Sequence, residues 1–174
     1  MNNWNHLKPE SKLWMYGGQR ILTDVEQKQI NSILDDFCEN WAAHGAKLNC
    51  GFNIMYDRFI MIAVDEESAA ASGCSIDKSI EVIKQIEAEY DLDLFNRLRC
   101  FHIEELPKTT ITAYLSSEIN ELLHEGVLDE NSKIVYMQAT AVSDLTPNFT
   151  RDLKDTWLKK YLGQNNQPQT RVSR

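Results

Sequence analysis

The chain lacks long apolar runs. Its longest, Phe59–Val64, is six residues, far short of the roughly 20 that a membrane-spanning helix requires. It lacks an excess of basic charge: 18 Lys and Arg stand against 26 Asp and Glu, a net −8, which argues against sequence-independent binding along nucleic acid. No basic segment followed by an apolar run and a small-residue cleavage site opens it, so a secretory leader is not expected. It also lacks paired cysteine motifs. Cys38, Cys50, Cys74 and Cys100 include no C-x-x-C pair and no accompanying H-x3-5-H, the spacings of zinc ribbons and thioredoxin-like sites. The expectation is four free thiols in a reducing cytoplasm, with no membrane insertion, no nucleic-acid partner, no metal and no cofactor.

What is present is a globular balance. Hydrophobic residues are 43% and charged residues 25% of 174 positions, enough to build a core without disulfide staples. Cys38, on a helix, and Cys50 and Cys100, in strand-like runs, read as small core residues. Cys74 stands apart among small polar neighbours.

Residues 1–12 read as a loose polar arm, 13–162 as one α+β domain and 163–174 as a disordered polar tail. Within the domain, 13–22 reads as a strand leaving through Gly17 and Gly18. Thr23 and Glu26 make a T-x-x-E capping box that starts a helix at Asp24. The stripe Val25, Ile30, Ile33, Leu34, Phe37, Trp41 carries that helix to His44, with Gly45 just beyond its end. Alternation over 48–56, a turn at Asp57 and a doubly apolar run to Asp65 predict a hairpin whose second strand is central. After the small-residue loop 66–75, a second helix is expected over 76–90 with Ser75 as N-cap, then a strand at 97–103. The order β-α-β-β-α-β is that of a ferredoxin-like core, a mostly antiparallel sheet with helices on one face. A C-terminal α-β-α extension follows: a helix near 117–125 ended by Gly126, a strand at 133–142 and a helix over 147–162.

Chain direction then has a chemical consequence. A helix and a hairpin of matched length bring His44, Asp65, Glu66, Gly73, Cys74, Ser75 and Asp77 to one end of the sheet. A thiol at a helix N-terminus is stabilised as thiolate by the helix dipole and unpaired N–H groups. His44 is a candidate base and Asp65 its orienting carboxylate. The N–H groups of Ser75–Asp77, with Gly73 and Glu66 beside them, are a candidate cradle for an anion. Each residue also has an ordinary explanation: His44 and Asp77 suit the helix dipole, and the acidic run 65–67 suits a solvated strand exit.

Trp41-Ala42-Ala43-His44-Gly45, Tyr56-x-Arg58-Phe59, Val64-Asp65-Glu66 and above all ASGCSIDKS at 71–79 resemble a family of small bacterial proteins of unknown function whose members are often labelled "ABC transporter ATPase". The resemblance covers roughly residues 14 to 101. It implies membership of an uncharacterised family and carries over no catalytic residue. ATP hydrolysis by a phosphate-cradling loop needs G-x4-G-K-[ST], and none of the glycines at 17, 18, 45, 51, 73, 126 and 163 is followed by Lys. That mechanism is rejected.

Two functions remain. The preferred one is a non-catalytic interaction module whose sheet pairs with another protein or with a second copy of itself, since such domains host many binding roles. The alternative is a cysteine-dependent enzyme or small-anion site built on Cys74, His44 and Asp65.

Overall fold

A computed structural model describes residues 4–67, 70–104, 108–147 and 149–163. The capping box forms as the sequence predicts. Glu26 N donates to Thr23 Oγ1 at 3.3 Å and Thr23 N donates to Glu26 Oε2 at 2.8 Å, so helix α1 (Asp24–Asn40) begins at Asp24. Arg20 adds a bidentate pair to the Glu26 carboxylate at 2.9 and 2.7 Å. Its guanidinium, with the Thr23 N–H, holds the Glu26 carboxyl at about 2 against an ordinary 4.5. A depressed carboxyl stabilises the fold above its unfolded value, and that contribution drains away as pH falls through 4.5 toward about 2. Glu26→Gln is therefore expected to cost about 1 kcal/mol at neutral pH, the size of a partly exposed ion pair, because the Arg20 side chain is 41% exposed. Denaturant melts of both proteins should converge as pH drops below 4.5; a constant gap would assign the loss to packing rather than charge.

α1 ends at Asn40, short of the expected His44. Trp41 leaves the helix with extended backbone and is 1% exposed. Its indole Nε1 donates to Ser75 O at 2.8 Å, a bond that ties the end of the helix inward. The next residues make a miniature hairpin of β2 (Ala42–Ala43) and β3 (Ala46–Lys47). His44 and Gly45 form its tip with φ of 51° and 81°, the left-handed pair that a two-residue hairpin demands. His44 thus sits on a turn, not at a helix C-terminus.

The predicted hairpin is present as β4 (Asn49–Met55) and β5 (Phe59–Asp65), in register from Asn49↔Asp65 to Met55↔Phe59. Tyr56 and Asp57, both at φ 52°, turn the chain between them. β1 (Lys12–Gly17) pairs antiparallel with the other side of β5, giving the order β1-β5-β4. Every residue of β5 is buried, as its doubly apolar pattern requires. Phe52, Ile60, Ile62 and Val64 pack in one cluster with Ile30 and Leu34 of α1 and with Val82, Ile83 and Ile86 of α2 (Gly73–Tyr90). α2 starts three residues earlier than predicted. Ser72, not Ser75, is its N-cap, accepting from Ser75 N at 3.3 Å, while Ser75 lies inward at 1% exposure.

Residues 4–11, expected to be loose, are fastened. Trp4 is buried, Leu7 N donates to Trp4 O, and Ser143 N and Val142 N donate to Pro9 O and Ser11 O. The polar tail beyond Gly163 lies outside the described residues.

Where the sequence reading has one domain, backbone contacts divide the chain into two compact units, 4–96 with Met137–Pro147 and 97–136 with 149–163. The fold is α+β with mostly antiparallel sheets, but the ferredoxin-like sheet is not completed. The last strand of the expected ferredoxin-like core, predicted over 97–103 and present as β6 (Arg99–Glu104), pairs with β7 (Thr110–Leu115) and with β8 (Lys133–Val135) rather than with the first sheet. β9 (Thr150–Asp152) completes a second sheet of order β7-β6-β8-β9. A hairpin to β7 closes a short loop, entropically cheaper than a return to β1. The free side of β1 instead meets Ala141 in a single bridge at Lys12, and Leu13 N donates to Thr140 O at 2.8 Å.

In the second unit α3 (Ile119–His124) stops before Gly126, whose φ is 72°, as predicted. The strand expected over 133–142 is only β8 long. Among the described residues the expected helix over 147–162 does not form: β9 is followed by 3-10 turns at Leu153–Asp155 and Trp157–Tyr161. Thr156 divides them, its hydroxyl donating to Leu153 O at 2.8 Å and accepting from Leu158 N at 3.2 Å, so the side chain replaces helical backbone bonds. Leu153 and Leu158 turn inward on Cys100, Ile119, Leu128 and Ile134.

Candidate functional site

β5 delivers Asp65 to the end of the first sheet, where it is 8% exposed. Its carboxylate accepts from Asn49 Nδ2 at 3.4 Å and from Glu67 N at 3.0 Å. Glu66 accepts from Ala71 N at 3.1 Å and lies 3.8 Å from Lys12 Nζ, and Lys8 pairs with Glu67. Asp65, Glu66 and Glu67 therefore line a cleft of about 230 Å³ with Lys8 and Lys12. Their counter-charges are ammonium groups rather than an imidazole.

Gly73 and Cys74 open α2, and both are exposed, as is Asp77. Ser75 is not available in the same way: its hydroxyl donates to Ser72 O at 2.8 Å and its carbonyl accepts the Trp41 indole. The N–H of Ser75 is taken by Ser72 Oγ and that of Ile76 by Ser72 O. The cap thus occupies donors of the expected anion cradle. His44 is exposed at its hairpin tip. Among the described residues no hydrogen bond or ion pair joins His44, Cys74 and Asp65.

The larger concavity lies elsewhere in the first unit. A groove of about 400 Å³ is lined by His6, Asp35, Cys38, Glu39, Lys47 and Cys50, among others. Cys38 lies on the buried face of α1 and Cys50, half-buried, on β4. Cys50 Sγ donates to Cys38 O at 3.5 Å. The neighbouring Cys38 thiol, opposed by burial and helped by Lys47, pulls Cys50 below the ordinary thiol value. The neighbouring Cys50, then burial, pushes Cys38 up. His6 Nε2 lies 3.2 Å from Cys50 O. This thiol pair and His6 were not recognised as a group from the sequence, because 12 residues separate the cysteines and 44 separate His6 from Cys50. The only traces were the inward positions of both cysteines in their helical and strand patterns. Cys100, read as a core thiol, is buried, and burial with Glu118 nearby pushes it up to about 12. His102 on β6 is also buried, which lowers its basicity.

These features define an α+β protein with a dithiol groove between helix and strand and a mixed-charge cleft at the sheet end. No helix among the described residues is long and apolar enough to cross a membrane, and no group of three or more His, Cys, Asp or Glu among them is placed to hold a metal ion. No protein-family model, no curated protein and no solved structure matches the chain.

Proposed function

We propose that the protein is a non-catalytic interaction module that self-associates through the edge of its second sheet. The observation that carries this is β7. It has β6 on one side and no strand on the other among the described residues, and its sequence TITAYL contains neither charge nor proline. Those are the devices by which edge strands normally avoid pairing. Thr110, Thr112 and Leu115 are exposed and the other three residues half-buried.

The ladder supplies the register. Ser116 N donates to Leu98 O, and the β6–β7 pairing continues in step through Cys100↔Tyr114 and His102↔Thr112. Antiparallel alternation then turns the N–H and C=O of Ile111 and Ala113 outward. Leu115, the next outward residue, already has its N–H and C=O bonded to Glu118 at 2.5 and 2.9 Å. A two-fold about Thr112 would let Ile111 of each copy bond Ala113 of the other, with the threonines meeting at the centre, a favourable cross-strand pair. So small an interface belongs to the weak, transient class.

A concentration-dependent dimer is expected by sedimentation. Ala113→Pro, which removes one outward donor and leaves the inward ladder intact, should be monomeric with unchanged circular dichroism. A monomer at every concentration would refute self-association. Apart from the short β2–β3 hairpin, the β1-α1-β4-β5-α2 order of the first unit supports a ferredoxin-like arrangement of that unit. The cysteine-enzyme alternative keeps an exposed Cys74 in its favour but lacks hydrogen bonds from that thiol to His44 or Asp65, and so is second to the module reading.

A further inference from the structure

We propose that Cys38 and Cys50 form a thiol–disulfide exchange site, in which Cys50 attacks a small-molecule disulfide entering the groove and Cys38 resolves the adduct into an intramolecular disulfide. The proposal is independent of the β7 reading, since every residue involved lies in the first unit.

Three observations support it. The two sulfurs share a groove of about 400 Å³, room for a compact disulfide rather than a folded partner. The two residues are already side by side, Cys50 Sγ donating to the backbone oxygen of Cys38 at 3.5 Å, the proximity that a cross-link requires. And the two thiols are unlike. The charges around the pair come from every adjoining segment: Asp35 and Glu39 on α1, Lys47 on β3 and His6 on the N-terminal segment. Lys47 favours the Cys50 thiolate, while Asp35 opposes ionisation of Cys38. The attacking sulfur is therefore the one carried by β4.

The exchange balances in two steps. Cys50, having lost its proton to solvent, attacks one sulfur of the disulfide; that S–S bond breaks and one thiolate leaves and is protonated. With Cys50 held in the mixed disulfide, its anion no longer opposes ionisation of Cys38. Cys38 then gives its proton to water and attacks the Cys50 sulfur, expelling the second thiolate. Two protein thiols are oxidised to one disulfide, and the small disulfide is reduced to two thiols.

The test is exposure of the full chain to 2-hydroxyethyl disulfide, followed by peptide mapping without reduction. A Cys38–Cys50 link is expected, with Cys100 left free. Cys38→Ser should instead trap a stable mixed disulfide on Cys50. In Cys50→Ser, adduct formation on Cys38 should be slower by at least about tenfold, the effect of one pKa unit on thiolate content. Modification of Cys74 alone in the unaltered protein, with Cys38 and Cys50 still free, would overturn the proposal. Equal trapping rates in the two variants would overturn the assignment of Cys50 as attacker. Circular dichroism of both serine variants separates these outcomes from misfolding.

Discussion

Trp41→Ala is expected to destabilise the first unit by about 3–5 kcal/mol, the range for deleting a large buried aromatic. The indole is 1% exposed, with its ring centroid 5.0 Å from that of Phe37 and 6.2 Å, edge-on, from that of Trp14. The substitution removes this packing and also the Nε1 bond that holds Ser75 O at 2.8 Å. Phe at the same place separates the two effects. It keeps most of the apolar contact but leaves the carbonyl without its donor, so about 1–2 kcal/mol is expected. Denaturant titration gives the totals, and hydrogen exchange locates them. Amides in the first turns of α2 should exchange faster in both variants, because Trp41 fastens that end of the helix to the end of α1. A loss below about 1 kcal/mol for the alanine variant would mean that the site collapses to refill the space.

The same tryptophan marks where sequence reading succeeded and where it stopped. The start of α1 was legible because a capping box is local: Thr23 and Glu26 lie within one turn of each other. The β4–β5 hairpin was legible for a similar reason, with alternation and a short turn fixing both strands. The end of α1 was not, because Trp41 fits a helical stripe as well as it fits the position it occupies, and what removes it from the helix is a bond to Ser75, 34 residues away. That shift moved His44 from a helix end to a hairpin tip. The α2 cap was misplaced by three residues since Ser72 and Ser75 are chemically equivalent candidates and only packing decides which turns inward. The candidate site suffered from the same limitation. Asp65 and Glu66 lie at the end of β5, but the lysines that line the cleft with them come from residues 8–12, which carry no pattern linking them to β5. The Cys38–Cys50 contact joins a helix to a strand and follows no local spacing rule. The strand expected over 97–103 is present as β6, yet its sheet was not legible: pairing with β7 rather than β1 is a choice between two antiparallel partners that composition does not distinguish.

Leu153→Ala is expected to cost the second unit about 2–5 kcal/mol. Leu153 is 0% exposed and belongs to the cluster of Cys100, Ile119, Leu128, Ile134 and Leu158. It stands just where β9 gives way to a 3-10 turn, and its backbone is doubly engaged: Leu153 N donates to Ser132 O at 2.9 Å and Leu153 O accepts the Thr156 hydroxyl at 2.8 Å. The surrounding chain is thus held by hydrogen bonds that do not depend on the side chain. It has little freedom to collapse into the space a truncation leaves, which argues for the upper half of the range. The first unit has its own cluster, built on Ile30, Ile62 and Ile83. Peptide-level hydrogen exchange therefore distinguishes two outcomes. Faster exchange concentrated in β6, β8 and β9 would mean that each cluster governs its own unit's opening. A uniform rise across α1 and β5 as well would mean that the two units open as a single cooperative body.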